Sequence, residues 1–148
     1  PTVYPKNVVA GMFYWYNSGG NTDELDIEFS RWANANNLNT QYTVWINNWT
    51  GNVASPRYET VGINTTHKMI WSSNQIYFEG PAGNWTYPGT YKPRTGGIYA
   101  IDLWVYDPNS VGYKAPADGK EQELILSGFS YSPIGCISPV SCNFQVQP

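Results

Sequence analysis

The chain is short of charge and of sulfur, and it holds a single imidazole. Charged residues fill 13% of its 148 positions, for a net charge of −3. No run of lysine or arginine occurs anywhere along it, which argues against a phosphate-rich partner such as nucleic acid. No apolar run is long enough to span a bilayer and no leader pattern precedes the first strand, so no membrane partner is expected. The first residue, Pro1, is not an initiator methionine; a processed chain, a proteolysed one or a fragment is expected. The only histidine is His67, and nothing pairs it with a serine or cysteine nucleophile. A structural or surface role is expected of it. Two cysteines with one distant histidine do not make a zinc site.

Aromatic and small polar residues are plentiful instead. Seven Trp and twelve Tyr stand among Asn, Gly, Ser and Thr, the profile of an all-β, extracellular, carbohydrate-handling protein. The two cysteines, Cys136 and Cys142, lie close together near the C-terminus. In a secreted protein they are expected to form a disulfide closing a small loop in a tail over 134–148; two reduced thiols are the alternative. Asn48, Asn64 and Asn84 each begin an Asn-x-Ser/Thr sequon, which also fits a secreted, extracellular location.

No helical period persists for three turns. Short apolar and aromatic runs alternate with Gly, Pro and Asn clusters, a pattern of antiparallel strands. Strands are predicted over 8–16, 24–31, 40–47, 57–62, 67–72, 75–80, 98–106 and 121–132. Asn17–Asn21 reads as a loop, Ser73-Asn74 as a hairpin turn and Gly80–Gly97 as loop-rich. No linker divides the chain. One domain is expected, an all-β, antiparallel β-sandwich.

The most informative segment is Glu24-Leu25-Asp26-Ile27-Glu28. Acid and aliphatic alternate with the period of a strand. Leu25, Ile27 and Phe29 point to one face, and Glu24, Asp26 and Glu28 to the other. Of eleven acidic residues in the chain, four, counting Asp23, fall within these six positions. Same-face neighbours on a strand sit about 7 Å apart, where like charges repel. A solvated edge strand carries such a pattern as protection against edge pairing. Glycosidic bond cleavage requires it, because that chemistry needs one charged and one protonated carboxylate.

These residues resemble the active-site strand of glycoside hydrolase family 16, the lichenase and laminarinase family. Glu24 to Phe29 carries the core motif. Asn7 to Trp15 resembles the strand before it. Ser30-Arg31-Trp32 and Gln41 to Trp45 continue the pattern of a bacterial-type branch. Trp71 with Ile76 to Gly80, then Ile101 to Trp104, then Glu123 to Tyr131 follow in the family's order. The resemblance covers roughly residues 7 to 133 and implies a single domain of the jelly-roll, concanavalin A-like lectin/glucanase type over 1–148. It also marks departures. The motif lies near the start rather than the middle of the chain, so this is the C-terminal two-thirds of the family's domain, a reduced sandwich, or a chain completed by another segment or partner. Thr22 and Asp102 stand where many members have Trp and Asn. The motif has no extra residue, so its strand should be regular rather than bulged.

The resemblance implies a retaining endo-acting β-glycanase working on a polysaccharide by double displacement. Carried over position by position, Glu24 is the nucleophile, Glu28 the acid/base, and Asp26 the residue that orients Glu24. Glu24 and Glu28 have Cα atoms about 13 Å apart on a regular strand, and side chains leaning together on a curved one could reach the retaining separation of about 5–5.5 Å. Strand parity and the family pattern together put Phe13, Trp15, Gln41, Thr43, Trp45, Asp102 and Trp104 along the cleft, with Trp45 and Trp104 as sugar platforms. For each aromatic, core packing competes with that role; Trp71 and Phe78 are assigned to the core. Arg31 is expected in a strand-surface salt bridge, and Asp23 in a loop or supporting role. No cofactor is expected. Family members often carry a structural calcium, but no acidic cluster here specifies one. Transglycosylation would use the same residues. A non-catalytic carbohydrate-binding or structural protein on the same sandwich is the alternative to an enzyme.

Overall fold

The computed structural model describes residues 4–46, 48–60, 64–72, 74–81, 83–107 and 115–131. Among them the protein is all-β, with eight strands: β1 (Val8–Ser18), β2 (Asn21–Ser30), β3 (Thr40–Ile46), β4 (Gly51–Ala54), β5 (Lys68–Trp71), β6 (Ile76–Gly80), β7 (Gly83–Thr86) and β8 (Ile98–Val105). They form two antiparallel sheets, one of five strands in the order β4-β3-β2-β1-β8 and one of three in the order β5-β6-β7. The sheets pack face to face as a sandwich.

The alternation in the sequence decides what lies between them. Tyr14, Leu25, Ile27, Tyr42 and Val44 project from the larger sheet onto Ile76 and Phe78 of the smaller one and onto Tyr87 just beyond it, forming one buried cluster. The rings of Tyr42 and Phe78 stack at 5.1 Å, and Tyr14 meets Trp71 at 4.3 Å. Phe78 is thus a core residue, as assigned from the sequence, while Trp71 is partly buried and packs against that core. Gly80 lacks the Cβ that would collide with the Tyr42 hydroxyl and with His67, so β6 can end directly over both.

β2 is regular along its length. Every residue from Asn21 to Ser30 pairs in order with Ser18 back to Val9, without a bulge. The β1–β2 turn is the two-residue Gly19-Gly20, both at positive φ (59° and 75°), the conformation that a tight hairpin turn requires and glycine accepts most readily.

Three predictions about strands need correction. Residues 57–60 form no strand; only Tyr58 makes a bridge, to Thr40. Over 121–131 there is no strand either. That segment is held irregularly, by the Tyr4 hydroxyl, ahead of β1, donating to Glu123 O at 2.9 Å and by Phe129 against Tyr99 of β8 at 5.0 Å. Its apolar alternation finds no backbone partner among the described strands. Conversely, β7 lies within the segment 80–97 expected to be loop-rich, and β4 falls where no strand is predicted. Tertiary contact overrides local preference in β7, where Trp85 stacks on Phe78 at 5.8 Å. Ser73 of the expected hairpin turn and the cysteines of the expected disulfide lie outside the described residues; Ser72 N–H donates to Gln75 O at 2.9 Å across that turn.

Candidate active site

The outer face of the five-stranded sheet collects the residues that strand parity assigned to a cleft. In the register, Glu24 lies between Trp15 of β1 and Trp45 of β3; Asp26 between Phe13 and Thr43; and Glu28 between Gly11 and Gln41. On the far side of β1, Asp102 pairs with Gly11, and Trp104 follows two residues on. All ten predicted site residues therefore share one face: Phe13, Trp15, Glu24, Asp26, Glu28, Gln41, Thr43, Trp45, Asp102 and Trp104.

Burial divides the carboxylates. Asp26 is 3% exposed, and burial first, then the charges of Glu24 and Glu28, push its pKa well above the usual carboxylate range. An ionised Asp26 would leave both oxygens buried with no well-aligned donor, only the Trp45 side chain acting to lower its pKa, an expensive state. Protonation gives it a donor, with Glu24 as the acceptor in reach. Glu28 is pushed up to about 7, mainly by burial; the Thr43 hydrogen bond and Arg57 oppose the rise, while Glu24 and Asp102 add to it. Glu24 is also raised by burial, but hydrogen bonds with Asp26 and Trp49 act to keep it charged. The result is an asymmetric pair: Glu28 retains a proton near neutrality, and Glu24 has two donors favouring its ionised form.

The geometry adds residues that the motif did not name. Thr43 Oγ1 donates to Glu28 Oε2 at 3.1 Å. Trp49, on the β3–β4 turn, donates its indole N–H to Glu24 Oε2 at 3.0 Å. Arg57 is anchored by Ser30 O at 3.0 Å and Leu38 O at 3.3 Å near enough to Glu28 to influence its charge. Gly11 keeps open the space between Glu28 and Asp102, since a Cβ there would lie 3.1 Å from Asp102 Oδ1. At the Trp104 end, Trp32 and Tyr106 join it in an edge-to-face aromatic cluster, with ring separations from 4.9 to 6.1 Å. Trp104 remains 41% exposed, as a stacking platform must. Trp45 and Trp15 are half-buried beside Glu24. Gln41 spends its amide N–H on Ser55 O at 2.9 Å, so it buttresses the loop after β4 as well as facing Glu28.

Residues outside this face have structural roles. Asp23 is a strand residue on the inner side, fully buried, rather than a loop residue; it accepts from the Tyr91 hydroxyl, Arg94 N–H at 2.8 Å and Arg94 Nη1 at 2.7 Å. Arg31 forms the expected salt bridge, with Glu59 at 3.0 Å. His67 packs edge-on to Phe29 and lies 3.3 Å from the Tyr42 hydroxyl, and burial pushes its pKa down to about 4. Among the described residues no group of three His, Cys, Asp or Glu side chains is arranged to hold a metal ion. No family model, no curated protein and no solved structure matches this chain.

Proposed function

We propose that this chain is a retaining endo-acting β-glycanase of the glycoside hydrolase family 16 type, acting on an extracellular β-glucan. The observation that carries the reading is the carboxylate row itself. Glu24, Asp26 and Glu28 are aligned on one regular strand, with Glu28 at about 7 and aromatic rings at both ends. Such a row costs folding energy, and a binding protein has no need of it.

In the proposed reaction Glu24 attacks the anomeric carbon while Glu28 gives its proton to the glycosidic oxygen. That C–O bond breaks, the alcohol departs, and the sugar is left esterified to Glu24. Glu28, now a carboxylate, takes a proton from water as the water oxygen attacks the same carbon. The bond to Glu24 breaks and both groups return to their starting states. Two inversions give retention. Protonated Asp26 orients Glu24 by a hydrogen bond, and Thr43 orients Glu28. Sugars stack on Trp15 and Trp45 beside Glu24 and on Trp104 beyond Asp102.

Reducing-sugar release from a panel of β-glucans, galactans and xyloglucan tests the reading. Wild type is expected to act on at least one, with Glu28→Gln lowering turnover by about 10²–10⁴-fold and Glu24→Gln at least as much. Binding without turnover in wild type would sink the enzyme and leave a carbohydrate-binding module.

A further inference from the structure

We propose that Trp49 is a positioning residue for Glu24, holding one carboxylate oxygen through its indole N–H so that the other faces the anomeric carbon. The proposal rests on the glycanase reading above. It starts from an anomaly in the backbone. Asn48 and Trp49 both have positive φ, 58° and 56°. Asparagine enters the left-handed region with little penalty, whereas a bulky aromatic residue there is an outlier. A strained conformation persists only where its surroundings over-determine it.

Those surroundings are visible. Asn48 N–H donates to Thr22 O at 2.7 Å, and Asn48 Oδ1 accepts from Thr22 N–H at 2.6 Å. Thr50 N–H donates to Ile46 O at 3.1 Å. The turn is thereby pinned to the start of β2, two residues before Glu24. From that anchor the indole N–H meets Glu24 Oε2 at 3.0 Å. Trp49 is nonetheless 53% exposed, so core packing does not explain why the chain accepts the strain. Its N–H does. A donor on Oε2 favours the charged nucleophile, in the same sense as the bond with Asp26.

The test pairs an NMR measurement with kinetics on the full chain. Trp49→Phe keeps a ring at an exposed turn and removes only the donor, so it is expected to fold. In wild type the Trp49 indole N–H resonance, assigned by its loss in Trp49→Phe, should titrate with Glu24, and that titration should vanish in Glu24→Gln. In kinetics, Trp49→Phe should lower kcat by about 10- to 100-fold, the rate equivalent of one hydrogen bond to a charged group. KM should stay within about twofold, because the loss acts on the nucleophile rather than on substrate binding. The acidic limb of the kcat profile should move to higher pH. An indole resonance indifferent to Glu24→Gln overturns the proposal whatever the activity. So does a coupled resonance with wild-type kcat and an unmoved acidic limb in Trp49→Phe. Failure of the glycanase reading is seen separately, as wild-type chain inactive on every glycan before any Trp49 variant is compared.

Discussion

Thr43 faces Asp26 in the strand register, yet its hydroxyl donates diagonally to Glu28 Oε2 at 3.1 Å. The choice follows from charge. Burial and its two acidic neighbours push the Asp26 pKa well above the usual carboxylate range, which makes it the poorer acceptor. Glu28 gains charge as pH rises through about 7, and the Thr43 bond strengthens with it. A hydroxyl on a residue only 3% exposed thus acts on the Glu28 carboxyl group.

Replacing Thr43 with Val removes the largest effect that lowers the Glu28 pKa. The Glu28 pKa should rise, and the basic limb of the kcat/KM profile should move to higher pH. The acidic limb should move little. A pH–rate profile of the variant checks this, and an unmoved basic limb would assign that limb to some other group.

Glu28 should make the protein less stable as pH rises. Its pKa lies at about 7 in the fold against 4.5 for the unperturbed group, so the folded state binds the extra proton between those values. Stability contributed by that proton is complete below about 4.5 and is lost as pH rises through about 7, a change of roughly 3 kcal/mol. Glu28→Gln should abolish this dependence and stabilise the protein above neutrality while removing activity. Urea unfolding of both proteins at pH 5 and pH 8 measures it; a variant no more stable at pH 8 relative to pH 5 than wild type would contradict the burial of Glu28.

Gly11 separates Glu28 from Asp102. A Cβ at that position would lie 3.1 Å from Asp102 Oδ1, the far end of an exposed side chain that can yield. Gly11→Ala should therefore change stability by less than about 1 kcal/mol, helped by the lower entropy cost of Ala in a strand. Gly11→Val projects methyl groups into the row and should cost activity by about tenfold or more. Thermal melts alongside kinetics separate the two effects; a fully active Gly11→Val would place the substrate away from this row.

Arg94 compensates a buried charge on the opposite side of β2. Asp23 is wholly inaccessible, and Arg94 supplies both a guanidinium donor at 2.7 Å and a backbone donor at 2.8 Å. Arg94→Ala keeps the backbone N–H and the Tyr91 hydroxyl. The loss should lie at or just below the low end for breaking a buried pair, about 2–3 kcal/mol. Chemical denaturation tests this, and a smaller loss in Asp23→Asn/Arg94→Ala than in Arg94→Ala alone would identify the unpaired carboxylate as its source.

The candidate site was legible to different depths. Phe13, Trp15, Gln41, Thr43 and Trp45 could be placed because side chains on adjacent paired strands keep one parity, so a single motif fixes the face of its neighbours. Trp49 and Arg57 could not, since each reaches the carboxylates from a segment outside the strands that carry them. Gly11 was hidden for another reason: its contribution is an absent atom. Asp23 looked like a fourth member of the acidic group, but parity turns it inward, and its partner Arg94 lies 71 residues away.

The sequence by itself determined the all-β class, the strand that bears Glu24, Asp26 and Glu28, and the division of β2 into an apolar and an acidic face, because period-two alternation acts through nearest neighbours along one chain. Only the tertiary structure decided what surrounds each carboxyl group. Burial, the Thr43 and Trp49 donors and the proximity of Asp102 arise from segments remote in sequence, and those contacts distinguish Glu28, pushed up to about 7, from Glu24, whose hydrogen bonds with Asp26 and Trp49 favour its ionised form. Tertiary packing also set the outcome in two segments whose local pattern pointed the other way. It made Gly83–Thr86 a strand by giving Trp85 a ring to stack on, and it left 121–131 irregular because no strand edge among the described residues receives that segment.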